Sequence, residues 1–309
     1  MEILFILLTK LLPLYALILL GVLAGKRLYV QKESIAPLLI YIIAPIVILD
    51  ATVAAPLRTA VLSLPVVFFL IACVLCLVFY ALGSRLWQGA EKNILAFTAG
   101  SGNTGYFGIP LTLVLLGDQA FVLAALATLG MILYENSVGF YMAARGSVTS
   151  RQAIGKVLRL PSLYTFIIGV LLNAGGLHFS GIVQTTLGNV RGAYIVLGMM
   201  MVGLGLAQVT RLSFDLKFTA MAFLAKFVAW PAVIVVLIMT DRQFFGLFNP
   251  TTNHVLLLLS LVPLASNTVA FATQLRVQPE KAAVAVFLST LFSLLYIPIM
   301  ISALSFFWQ

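Results

Sequence analysis

Amides, hydroxyls and glycines crowd one stretch of an otherwise apolar chain, Gly100-Ser101-Gly102-Asn103-Thr104-Gly105-Tyr106-Phe107-Gly108-Ile109-Pro110. Side chains of this kind perform no covalent chemistry alone. They do donate hydrogen bonds, and midway along an apolar run they offer polar contacts to a solute. The window is also poor helix. Each glycine costs about 1 kcal/mol against alanine and proline about 3, so an unbroken helix here would give up about 7 kcal/mol. The spacing predicts two half-helices around an unwound middle, which hydrocarbon tolerates only inside protein or beside a wet cavity. Asn103 is a favoured N-cap for the second half, whose unpaired N–H groups and positive dipole end suit an anion. A glycine-rich kink for close helix packing accounts for the glycines. It does not account for Ser101, Asn103 and Thr104.

A second interruption follows at Leu261-Val262-Pro263-Leu264-Ala265-Ser266-Asn267-Thr268. Pro263 removes a backbone bond and clashes with the preceding turn, and three polar side chains come next. The candidate solute-binding set is therefore Asn103 and Asn267 through their amides, with Ser101, Thr104, Ser266 and Thr268 lining a pocket beside Pro263. Gly102, Gly105 and Gly108 would let the backbone approach.

Four ionisable groups lie inside apolar runs: Lys10, Asp50, Glu135 and Lys226. Charges there are costly and are functional hypotheses by default, whereas a neutral pair costs far less than either ion alone. Matching by depth pairs Lys10 with Asp50 and Lys226 with Glu135. The competing roles are a coupling proton on Glu135 or an anion held by Lys226, and depth does not separate them. Cys73 and Cys76 have no second pair beside them and read as apolar fillers. No H-E-x-x-H, nucleophile with histidine, or pair of membrane aspartates marks an enzyme. The expectation is a non-enzyme without metal or cofactor, leaving open a coupling proton or sodium ion.

The elements that must position these groups are helices in a lipid bilayer. With 62% hydrophobic and 9% charged residues and a mean hydropathy of +1.13, the chain is no soluble domain. Its runs of about twenty apolar residues exclude a barrel. Ten runs are legible, at 3–25, 34–54, 60–83, 93–116, 119–143, 161–177, 191–209, 217–239, 254–275 and 280–307, giving an all-α polytopic membrane protein. The net charge of +9 marks topology, not nucleic acid. Alternate loops carry Lys26, Arg27, Lys32, Arg85, Lys92, Arg145, Arg151, Lys156, Arg159, Arg211, Lys217, Arg276 and Lys281, against only Arg58, Arg191 and Arg242 on the other side. By the positive-inside rule both termini face outward from a multi-pass cell membrane protein, in the inner membrane if the source is Gram-negative. The first run has no basic leader and precedes Lys26-Arg27, so it reads as a span and not a signal peptide.

The stretch 144–160 divides the chain into halves, 1–150 and 151–309. Asn103-Thr104 reappears as Asn267-Thr268, and Thr128-Leu129 with Leu133-Tyr134 reappears as Thr290-Leu291 with Leu295-Tyr296. Five spans per half would insert the second copy upside down, the inverted repeat of secondary transporters.

The run Asn103 to Leu111, with Leu12-Pro13, Gly21, Gly25-Lys26-Arg27 and Pro263 to Asn267, resembles the auxin efflux carrier family over essentially the whole chain. That family includes plant auxin carriers and bacterial proteins described as malonate or related organic-anion carriers. The resemblance implies a fold similar to bile acid:sodium symporters, with a panel of spans one, two, six and seven. Spans three to five and eight to ten would form a transport domain around broken crossing helices in spans four and nine, moving as an elevator. The implied function is secondary active or facilitative transport of a small organic anion, a carboxylate such as malonate or an auxin-like acid. The alternative is a channel, or a ligand sensor that does not move its ligand. Gly21, Gly25, Gly198, Gly203 and Gly205 offer small surfaces for contact within the molecule or between subunits of a homodimer.

Overall fold

A computed structural model describes residues 2–56, 58–144, 151, 155, 158–207, 215–275 and 277–303, without the side chains of 2–8, 274 and 275. Arg145, Lys156, Arg211 and Arg276, four of the topology-marking charges, lie outside the described residues. In chain order the helices are α1 (Glu2–Arg27), α2 (Lys32–Ala54), α3 (Thr59–Leu86), α4 (Glu91–Gly100), α5 (104–116), α6 (Asp118–Ala143), α7 (Pro161–Ala174), α8 (Gly181–Ala207), α9 (Leu216–Phe245), α10 (Pro250–Ser260), α11 (Asn267–Leu275) and α12 (Pro279–Ala303). Seven of these, α1, α2, α3, α6, α8, α9 and α12, are long and apolar enough to cross a bilayer without interruption. The fold is all-α and polytopic, as composition predicts.

Proline shapes the long helices locally. Three of them widen into a π turn two residues before a proline: 39–43 before Pro45, 104–108 before Pro110 and 224–229 before Pro231. A proline has no N–H for the carbonyl four residues back and its ring crowds that carbonyl, so the ladder shifts by one residue. Phe227 loses its helical donor in this way, and the Tyr296 hydroxyl donates to it instead at 2.6 Å. A fourth π turn, Glu135–Gly139, interrupts α6. Turns of this kind recur at functional sites.

Helix pairing is set by missing side chains. A methyl group on Gly21 would run into the Met200 carbonyl, and one on Gly203 into the Ile18 carbonyl, so α1 and α8 touch backbone to backbone. The pair α2 and α7 is tied at its end by Asn173, whose amide donates to Thr52 O at 2.9 Å and Ala55 O at 2.6 Å. Helix α3 packs on α4 and α6, where Gly130 sits against the Pro65 carbonyl.

The pairing of Lys10 with Asp50 is corrected. Asp50 accepts from Arg191 Nη2 at 2.8 Å, and Arg191 Nη1 donates to Asp118 at 2.6 Å, while Lys10 is exposed. The sequence reading put Arg191 in a loop because the polar run Gln184-Thr185-Thr186 hides the start of its helix. In fact α8 begins at Gly181, and Thr185 and Thr186 satisfy their hydroxyls by donating to the carbonyls of Gly181 and Ile182. Depth alone favoured Lys10, but a guanidinium fork spans two carboxylates where an ammonium serves one. It also lies 4.2 Å above the Phe121 ring.

Replacing Arg191 with methionine should leave Asp50 unpaired with its side chain 10% exposed, at a cost of about 2 kcal/mol, between a surface and a fully buried pair. Thermal unfolding of detergent-purified protein should show this loss, largely recovered by adding Asp50→Leu, with under about 0.5 kcal/mol lost in Lys10→Met. A larger loss in Lys10→Met than in Arg191→Met would contradict the assignment.

Candidate functional site

Helix α4 stops at Gly100, and its last carbonyls are collected by side chains. Ser101 Oγ donates to Phe97 O at 2.9 Å, Tyr134 OH to the same oxygen at 3.1 Å, and Trp230 Nε1 to Ala99 O at 2.8 Å. These groups replace the partners that a continuing helix would supply. Residues 101–103 and 261–266 are non-helical, and the two interruptions meet: the Asn103 N–H donates to Pro263 O at 2.9 Å. A Cβ on Gly108 would lie 2.7 Å from Leu259 Cδ2, so α5 packs closely on the end of α10 there.

The first interruption is narrower than its glycines suggest. Residues 104–108 are helical, as a π turn that runs into Ile109–Leu116, with Pro110 just beyond the turn it shifts. Asn103 precedes the helix with φ −75° and ψ 55° but its side chain does not cap it. Its Nδ2 is instead buried without a hydrogen bond to the described protein.

A cavity of about 400 Å³ opens between two groups of helices. One wall is formed by Ile40, Tyr41 and Ala44 of α2, Ser162 of α7 and Tyr194 of α8. Opposite it stand residues 102–106, the α6 residues Thr128, Met131 and Glu135, and Ser266, Asn267 and Phe271 around the start of α11. Arg159 is exposed and also lines the cavity. Three of the π turns, at 39–43, 104–108 and 135–139, contribute lining residues. The widened turn therefore does for this site what an unwound loop was expected to do.

Of the predicted ligands, Gly102, Asn103, Thr104, Gly105, Ser266 and Asn267 line this cavity, together with Glu135. Ser101, Pro263 and Thr268 do not. The Ser101 hydroxyl is turned back to its own helix, the Pro263 carbonyl is taken by Asn103, and Thr268 is fully buried away from the lining. Thr128, Tyr106, Tyr194 and Arg159 line the cavity as well, outside the predicted set. Thr128 carried a signal, its repeat match to Thr290, while Arg159 was read only as a loop charge.

The pairing of Lys226 with Glu135 is also corrected. Glu135 Oε2 accepts from Asn267 Nδ2 at 2.9 Å. Lys226 is fully buried, its Nζ makes no hydrogen bond with the described protein, and it lies 4.7 Å above the Trp230 ring. A Cβ on Gly102 would stand 2.6 Å from that Nζ, which puts the ammonium against the loop that joins α4 to α5. The two residues meet different neighbours. From α2, Lys32 Nζ donates to Ser266 O at 3.3 Å, a contact that fastens the second interruption to the other wall.

Chemically, the cavity offers donors to an anion. Asn103 Nδ2 and the hydroxyls of Thr104 and Thr128 are buried with no partner in the described protein. The first turns of α5 and α11 both begin at the cavity lining, and the start of a helix carries the positive end of its dipole. Ile40, Met131 and Phe271 supply an apolar surface for a hydrocarbon body. Among the described residues no three His, Cys, Asp or Glu side chains gather to hold a metal.

The capping scheme at Gly100 predicts an order of stabilities. Trp230→Phe leaves the buried Ala99 carbonyl without its donor and should cost about 1–3 kcal/mol. Tyr134→Phe should cost less, because Ser101 still serves Phe97 O. Thermal unfolding checks both, and a reversed order would contradict the scheme.

The sequence profile of the membrane transport protein family matches residues 6–301. An uncharacterized transporter from Methanocaldococcus jannaschii is 27% identical over 286 residues, covering 88% of this chain and 91% of its own. Another, from Methanothermobacter thermautotrophicus, is 30% identical over 112 residues, 36% of this chain and 37% of its own. With its apolar helices and this match along nearly its whole length, the chain is a multi-pass membrane protein that belongs to the membrane transport protein family, that of the auxin efflux carriers.

Proposed function

We propose that this transporter is a secondary active or facilitative carrier of a small organic anion, a carboxylate such as malonate or an auxin-like acid, bound in the cavity beside Asn103. The observation that carries the reading is the junction of two interrupted helices beside a cavity lined by both helix starts and by three residues whose buried donors have no partner in the described protein.

In this reading α4–α5 and α10–α11 are two broken, crossing spans, and α7 is a short span, making ten in two inverted halves, 1–150 and 151–309. The pairs α1 with α8 and α2 with α7 are the contacts that such a duplication would repeat, first span with seventh and second with sixth. Those four helices would be the static panel, and the cavity's two walls divide along the same line. The remaining helices would move as one body. Their starts are linked by Lys281, which pairs with Asp215 of the α9 N-cap at 3.0 Å and Glu91 of α4 at 3.4 Å. With the basic-rich loops cytoplasmic and both termini outside, the cavity opens inward past Arg159. On the opposite side Arg191 bridges Asp50 of the panel to Asp118 of the moving body. An elevator stroke would have to break the Arg191–Asp118 contact and the Lys32–Ser266 contact.

Counterflow of labelled malonate and indole-3-acetate into proteoliposomes tests the site. Asn103→Ala, Thr128→Val and Asn267→Ala should each lower apparent affinity about tenfold or more, the size of one hydrogen bond to a charged group. Unchanged transport in both asparagine variants would remove the site, and saturable binding without flux would favour a sensor.

A further inference from the structure

Among the described residues, Glu135 is the one acidic side chain in the cavity lining. It is 3% exposed. Its Oε2 accepts from Asn267, the first residue of α11, and among the described residues no Lys or Arg forms an ion pair with it: Lys226 lies under Gly102, and Arg159, which also lines the cavity, is exposed. The other ionisable groups near it are phenols, Tyr106 of α5 and Tyr134 one residue before it, with Tyr194 of α8 and Tyr41 of α2 across the cavity. A carboxyl group so placed adds nothing to an anion site and, when ionised, opposes it.

We propose that Glu135 is the proton-binding group of a proton-coupled cycle in which one proton and one substrate carboxylate occupy the cavity together. The proposal rests on the anion site argued above. An anion held by Asn103 Nδ2 and the hydroxyls of Thr104 and Thr128 becomes the second carboxylate in a cavity of about 400 Å³. Two carboxylates sharing a confined site hold one proton between them, because both cannot be ionised at modest cost. The balance is simple. A substrate carboxylate, the Glu135 carboxylate and one proton give a carboxylate beside a Glu135 carboxyl group, and no bond within the substrate is made or broken. The Glu135 O–H then donates to the substrate while Oε2 keeps its hydrogen bond from Asn267, so a repelling neighbour becomes a donor. Because the coupling is reciprocal, the proton raises affinity for the anion by the factor by which the anion raises affinity for the proton. When the cavity opens to the other face, both leave.

Infrared difference spectra of the purified protein in liposomes, wild type and Glu135→Gln, test this directly. Glutamine retains an oxygen for the Asn267 amide, so the cavity wall survives. As pH is raised from mildly acidic to mildly alkaline, the wild type should lose a protonated-carboxyl C=O band that Glu135→Gln lacks. Malonate or indole-3-acetate should strengthen that band. Apparent affinity for the probe should fall by up to about tenfold per pH unit in wild type once Glu135 is ionised, and stay flat in Glu135→Gln. Absence of the band at every pH overturns the proposal, as does a probe that binds wild type and Glu135→Gln with the same pH profile. A titrating band with neither probe bound supports the proton site and counts against the anion reading. Probe binding without the band sinks the proton site alone.

Discussion

A backbone group without a partner costs several kcal/mol in hydrocarbon, and a helix broken in mid-span exposes several at once. The hydrogen bond from the Asn103 N–H to the Pro263 carbonyl is how this protein meets that constraint: each interruption supplies a partner for the other. Everything near the site follows from that closure. Side chains from α6 and α9 collect the remaining carbonyls of α4, and Ser289 Oγ accepts from the Leu264 N–H at 3.2 Å. The backbone is thus satisfied on the packed side, while the faces of 102–105 and 265–267 are left free to line a cavity.

Proline and glycine have separate tasks here. Prolines 45, 110 and 231 shift the helical ladder into wider turns, which carry Ile40 and Tyr41, Thr104 to Tyr106, and Lys226 to their places. Glycines remove bulk where backbones must touch, at Gly21 and Gly203 between α1 and α8. Neither residue type binds a solute itself. Together they let amides and hydroxyls stand within a span without breaking its packing.

Much of this was legible in the chain. Composition gives the class and apolar runs give the helices. The cost of Gly and Pro in a helix locates both interruptions to within a few residues, and the family is written in the run from Asn103 to Leu111. What depends on direction around a helix axis was not legible. Lys226 and Glu135 are matched by depth in the sequence but meet different neighbours, and the same blindness pairs Lys10 with Asp50. Ser101 has the right chemistry but donates back to its own helix, and Thr268 is buried outside the cavity lining. Arg191 was missed because a helix start rich in Gln and Thr resembles a loop until its hydroxyls are seen to bond back along the turn. Local composition reports what a residue is able to do, while tertiary packing decides what it meets.

The central claim is that the two interruptions join and present one anion site from Asn103, Thr104 and Thr128. An experimental structure of the protein soaked with a bromine-labelled carboxylate, read by anomalous scattering, tests it most directly. The account predicts the carboxylate within hydrogen-bonding distance of Asn103 Nδ2, with the bromine toward Phe271 and Ile40. Anomalous density elsewhere, or an unbroken helix through residues 101–103 or 261–266, would contradict it.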